Sequence, residues 1–120
     1  MNIIAIIRQT SADSQPKQDL AAVEAALRYK RQSGGFVTAL CLGTEAAVPL
    51  LREAVAMGCD SAALIRLPFC FTSIPEPTRY ARLLAGTIQD MEFDLIFTSC
   101  YAVDADTIQT GFLLASYLNL

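Results

Sequence analysis

The chain contains no histidine and no tryptophan. Without an imidazole, Ser-His-Asp and Cys-His nucleophile systems, histidine metal ligands and histidine proton shuttles are all excluded. Four cysteines are present, Cys41, Cys59, Cys70 and Cys100, but no two form a Cys-x-x-Cys pair. A zinc knuckle and a thioredoxin-like redox motif are therefore both absent, and the thiols read as small core hydrophobes. Charge is scarce as well. Only 18% of residues are charged, nine of them Lys or Arg, and the net charge is −3. That balance argues against nucleic acid, which rewards clustered cations. No apolar run approaches the ~20 residues needed to cross a bilayer, so no membrane span is expected. The first residues lack the basic stretch of a signal peptide, which makes the expected location cytoplasmic. What is abundant is apolar side chain, 53% of 120 residues. Such a chain is enough for one domain with a core of its own, and too apolar to be disordered.

Four short apolar runs, at residues 3–7, 36–42, 62–67 and 95–98, alternate with longer amphipathic stretches. Apolar on both sides, the runs are expected to be strands of a parallel sheet buried on both faces. Leu20, Val23 and Leu27 share a helical face in the first intervening stretch, and Arg28, Lys30 and Arg31 charge its far end. Val48, Leu51 and Val55 do so in the second, with Pro49 in its first turn and Gly58 ending it. Pro75 and Pro77 open a third helix, with Tyr80, Leu84, Ile88 and Met91 on its apolar stripe. A fourth is expected from Asp106 through Ile108, Phe112, Ala115 and Leu118.

Strand–helix alternation with right-handed crossovers gives an α/β, doubly wound, mainly parallel sheet of Rossmann-like type. The first strand is the most apolar, which places it centrally and gives the order 3-2-1-4. Ligands of such sheets bind beyond the carboxyl ends of the strands, where the order reverses. Topology thus selects the loops after the first and fourth strands before any motif is considered.

The fourth strand–helix junction carries the densest pattern. Asp106 occupies an N-cap position and Gln109, three residues on, completes a capping box. Two readings are open. The segment starts a helix and no more, or its free N–H groups from Thr107 to Gly111, with the Thr110 hydroxyl, receive a phosphate. Arg8 closes the first strand at the same end and is either solvated or opposite an anion. Ser33-Gly34-Gly35 lies between a helix and a strand, the wrong polarity for a phosphate loop. Asp104 and Asp106 have no third carboxylate nearby in sequence, so no metal is expected.

Read together, these segments resemble the N-terminal part of the electron transfer flavoprotein beta subunit. The resemblance is carried by the opening strand running into Arg8-Gln9 and by Ala22-Val23-Glu24-Ala25-Ala26-Leu27-Arg28-Tyr29-Lys30. It continues through Val37-Thr38-Ala39-Leu40 with Gly43, and through Leu51-Arg52-Glu53-Ala54 leading to Ala56-Met57-Gly58 and Asp60. Phe93-Asp94-Leu95-Ile96, then Ala102-Val103-Asp104-x-Asp106-Thr107-x-Gln109-x-Gly111, complete it. The resemblance implies an electron-carrier subunit without catalysis of its own. It would pair with an alpha subunit and take electrons from dehydrogenases through FAD. It also implies a pocket for AMP, or for a second FAD. By the match, Asp104, Asp106, Thr107, Gln109 and Gly111 inherit the nucleotide role, with Thr110 beside them. Ile6 and Leu42, at the ends of the first two strands, would meet the adenine through main-chain groups and apolar contact.

Two segments depart from the family pattern. Pro16-Lys17 stands where Asn-Pro is usual ahead of the first helix, and the third crossover, residues 66–78, also differs. The apolar final stretch, ending Leu118-Asn119-Leu120, is expected to mark a chain shortened at its C-terminus, with residues 1–120 forming a single domain. Leu113, Leu114, Tyr117 and Leu120 are the side chains expected to be bare, which points to association, either with itself or with a larger partner. An alternative from another class is a stand-alone adenine-nucleotide-binding regulatory domain of universal-stress-protein type. It would carry a Gly-x-x-Gly phosphate loop near the last strand, which is absent. An ATP-pyrophosphatase needs Ser-Gly-Gly-x-Asp-Ser after the first strand, where this chain reads Arg-Gln-Thr-Ser-Ala-Asp.

Overall fold

The computed structural model describes residues 1–8, 20–43, 45–66, 77–98 and 112–120. Residues 1–67 and 93–99 form one compact unit, and residues 68–92 and 100–120 a second. In the first unit, strands β1 (Asn2–Arg8), β2 (Phe36–Gly43), β3 (Ser61–Arg66) and β4 (Leu95–Phe97) build a four-stranded sheet in the order β3-β2-β1-β4. Every pairing is parallel. The order expected from the apolar runs is the order found, and it is that of a doubly wound α/β fold.

The sheet's two central strands are apolar on both faces because both faces are covered. Ile3, Ala5 and Ile7 of β1 stand opposite Val37, Ala39 and Cys41 of β2 on one face. They form one buried cluster with Leu20, Val23, Ala26 and Leu27, and with Leu51 and Ala54. These come from helices α1 (Ala21–Ser33) and α2 (Val48–Met57) and from the residue just before α1. On the opposite face Ile4, Ile6, Leu40 and Leu42 are equally buried. The outer strands do not follow the expectation of two buried faces. Residues of β3 are half-buried or exposed and those of β4 half-buried, and Phe36 at the start of β2 is exposed. An edge strand has a neighbour on one side only, so an apolar run there need not be an enclosed one.

Helix α1 presents the face its spacing predicts. In α2 the buried pair is Leu51 and Ala54, and Val55, expected in the stripe, is 47% exposed. A helix this short has a narrow contact, and the small Ala54 lets it lie close to the sheet. Pro49 does sit in the first turn, and Gly58 ends α2 at φ 131°. Gly35 joins α1 to β2 at φ 132°, where a Cβ would lie 2.9 Å from the Met1 carbonyl oxygen. Glycine is required there. The cysteines Cys41 and Cys59 are buried, as expected of small core side chains, while Cys70 and Cys100 lie outside the described residues.

Two aspartates set the register of the outer strands in the same way. Asp60 stands just before β3. Its N–H donates to the Val37 carbonyl at 2.9 Å, and its carboxylate accepts the Val37 N–H at 2.8 Å. Asp94 stands just before β4, donates to the Asn2 carbonyl at 2.7 Å and accepts the Asn2 N–H at 2.7 Å. Each residue closes a two-bond ring onto the neighbouring strand, one position before the ladder begins.

The second unit contains helix α3 (Pro77–Ile88) and helix α4 (residues 112–117). Ala81, Leu84, Ala85 and Ile88 make the buried stripe of α3. Met91 falls beyond the end of α3 and is half-buried, so it is not part of that stripe. In α4 two of the expected positions are exchanged, while Tyr117 and Leu120, expected bare, are exposed. Phe112, expected against the sheet, is 74% exposed, and Leu114, expected bare, is 2% exposed. Arg82 of α3 lies over the Tyr117 ring, 5.6 Å from its centroid.

Candidate functional site

The strand order reverses at β1, with β2 on one side and β4 on the other. The two neighbours are of unequal reach. Strand β4 ends at Phe97, opposite Ala5, whereas β1 continues to Arg8 and remains paired with β2 as far as Leu42. Among the described residues, β1 thus extends three residues past its last β4 partner at the carboxyl end, a step where the order reverses. Such a step is where open α/β sheets take their ligands.

Ile6 and Leu42 lie at this end. Both belong to the same face of the sheet, since Ile6 opposes Leu40 and Leu42 opposes Arg8. Both side chains are buried. Among the described residues Ile6 lies past the last β4 partner and pairs with β2 alone, while Leu42 is paired on both sides, with Arg8 of β1 and Ile65 of β3. Arg8 is the last residue of β1. The other expected site residues, Asp104, Asp106, Thr107, Gln109, Thr110 and Gly111, lie outside the described residues, beyond the end of β4.

One charged pair at this end was not singled out by sequence reasoning. Glu45 begins a 3₁₀ turn, Glu45–Ala47, that leads from β2 into α2. Its carboxylate is 2.7 Å from the guanidinium of Arg66, the last residue of β3. Only a charged residue closing an otherwise apolar strand hints at such a pair in the sequence. At the other end of the sheet, Asp60 also bonds the Lys30 ammonium at 2.8 Å. That bond, and the Val37 N–H, hold its carboxyl below the usual range. This cluster lies at the amino ends of β2 and β3, away from the step. Among the described residues no group of three Cys, Asp or Glu side chains could hold a metal ion, and no helix is long and apolar enough to cross a membrane.

Comparison with known proteins supplies the family. The chain is 38% identical over 104 residues to the electron transfer flavoprotein subunit beta of Bacillus subtilis, covering 85% of this chain and 39% of the relative. It is 37% identical to protein FixA of Azotobacter vinelandii, over 84% of this chain and 37% of the relative. It is 34% identical to the acryloyl-CoA reductase electron transfer subunit gamma of Anaerotignum propionicum, over 85% of this chain and 39% of the relative. The chain thus spans about two-fifths of the length of the curated relatives it matches. The electron transfer flavoprotein domain matches residues 3–120. With that match running across all four strands, the chain belongs to the electron transfer flavoprotein domain family and is of beta-subunit type.

Proposed function

We propose that residues 1–120 act as one adenine-nucleotide-binding domain, taking AMP or FAD at the step between β1 and β4. The observation that carries this reading is the unequal reach of β4 and β2 along β1, at the reversal of strand order. The adenine would lie against the main chain at Ile6 and Leu42. Its phosphate would go to the segment holding Asp104, Asp106, Thr107, Gln109, Thr110 and Gly111. Free N–H groups at a helix start suit a phosphate, and Thr110 adds a hydroxyl.

The domain would work as an electron-carrier subunit in the cytoplasm, paired with an alpha subunit and serving dehydrogenases through the complex. Bound FAD would supply one- and two-electron chemistry. The part of this chain is to hold and orient a nucleotide, with no catalytic residue of its own. The family match supports the electron-transfer context, and the relatives' names support the work of a subunit among others.

Calorimetry with AMP, ADP and FAD tests the reading, and binding of at least one of them is expected. Gly111→Val should abolish it by blocking close approach to the backbone. Absence of heat with all three at millimolar ligand would overturn the nucleotide reading. A folded Gly111→Val chain that binds normally would move the phosphate elsewhere.

A further inference from the structure

The Glu45–Arg66 ion pair lies at the carboxyl end of the sheet. Arg66 closes β3 opposite Gly43, which closes β2, and its guanidinium turns to the first residue of the 3₁₀ turn that follows β2. That turn is three residues long, too short for its own hydrogen bonds to fix its direction. Its far end is anchored by Ala47, fully buried in the cluster beneath α1 and α2. Its near end is anchored by the Glu45 carboxylate on Arg66. Glu45 lies three residues beyond Leu42, whose main chain is the proposed adenine contact.

The geometry points to Glu45 and Arg66 as positioning residues, an ion pair that holds the base-reading end of β2 without touching the nucleotide. The inference rests on the nucleotide reading above. Two observations separate it from a direct phosphate contact. Arg66 is already neutralised by a carboxylate at 2.7 Å, which would itself repel a phosphate. And β3 is three strand positions from β4 in the order β3-β2-β1-β4, roughly 14 Å at the usual spacing. The pair is well exposed, so its influence is modest and screened by salt.

Binding of AMP and of adenosine to the full chain tests this, at low and high salt, for wild type, Arg66→Ala, Glu45→Ala and the double exchange Glu45→Arg with Arg66→Glu. Each single variant should weaken both ligands by the same factor, about two- to five-fold, as an exposed pair allows. The loss should shrink in high salt, and the double exchange should recover most of it. Weakening of AMP alone would make Arg66 a phosphate contact and overturn the inference. So would unchanged binding in the single variants, or a double exchange no better than either. A wild-type chain that binds neither ligand overturns the nucleotide reading and this inference with it. Wild-type binding with indifferent variants overturns this inference alone.

Discussion

At the scale of single residues, the most connected polar side chain described is Asp60. It ties three pieces of chain together: the end of α1 through Lys30, the start of β2 through the Val37 N–H, and the start of β3 through its own position. Both partners favour the ionised carboxylate, and the Lys30 hydrogen bond contributes most. A carboxyl held lower when folded than when unfolded stabilises the fold above its unfolded value, about 3.9, and that contribution fades as pH falls through the folded value. Asp60→Ala should therefore cost about 1 kcal/mol near neutral pH, because the pair is partly screened by solvent. Lys30→Met, which spares the bond to Val37, should cost less. Denaturant unfolding checks both at pH 7 and again in acid, where the Asp60→Ala penalty should shrink. An equal penalty at both pH values would show that the carboxylate charge is not what holds the three pieces.

At the scale of elements, the sequence reading succeeded where periodicity meets two-sided burial and failed where an element is short or at an edge. Strands β1 and β2 are enclosed, so their uninterrupted apolar runs gave strand type, parallel pairing and central position at once. The face of α1 followed from Leu20, Val23 and Leu27 because thirteen residues leave little rotational freedom in the assignment. Helix α2, with ten residues, was misjudged by one position, Val55 for Ala54. A small side chain at the closest contact has too little hydrophobicity to announce itself. The two aspartate rings ahead of β3 and β4 were legible only as parts of family-like strings, since their bonding depends on register between distant segments. Of the candidate site, the end of the sheet was legible from topology, and Ile6 and Leu42 fall there. The Glu45–Arg66 pair was not, because nothing local joins a turn after β2 to the end of β3. In α4 an apolar helix offers no polar face to orient it: Tyr117 and Leu120 are exposed as expected, but Phe112 and Leu114 change places. The correction has a direct consequence. Leu114→Ala should cost about 2–4 kcal/mol as a cavity in packed surroundings, and Phe112→Ser should change stability by less than about 0.5 kcal/mol. Comparable unfolding midpoints for the two variants would contradict the burial pattern found here.

At the scale of the whole molecule, the question is what an apolar, weakly charged chain does with the side chains its folding leaves outside. Mean hydropathy is +0.39, and large apolar side chains remain exposed in both units. In the second unit they include Leu83, Phe112, Tyr117 and Leu120, with Arg82 stacked on the Tyr117 ring. Arginine over an aromatic ring is common at protein contacts, where the cation's loss of water is partly offset by the ring. Scattered apolar residues need no partner, but a contiguous patch of more than a few hundred Å² normally has one. Covering a patch of that size contributes about 25 cal/mol per Å², several kcal/mol before the entropy of association is subtracted. The chain on its own should therefore associate with itself. The variant that tests this has to carry its charge on an exposed position. Leu114→Glu would bury a carboxylate and unfold the unit, and so report nothing about association. Phe112→Glu places the charge in solvent and leaves the fold intact. Light scattering at micromolar concentration should find species larger than 13.0 kDa for the wild type and a shift toward monomer for Phe112→Glu, more so with Leu120→Glu added. A monodisperse 13.0 kDa wild type, unchanged by either substitution, would show that these side chains are tolerated in water and that association has to be sought on another surface.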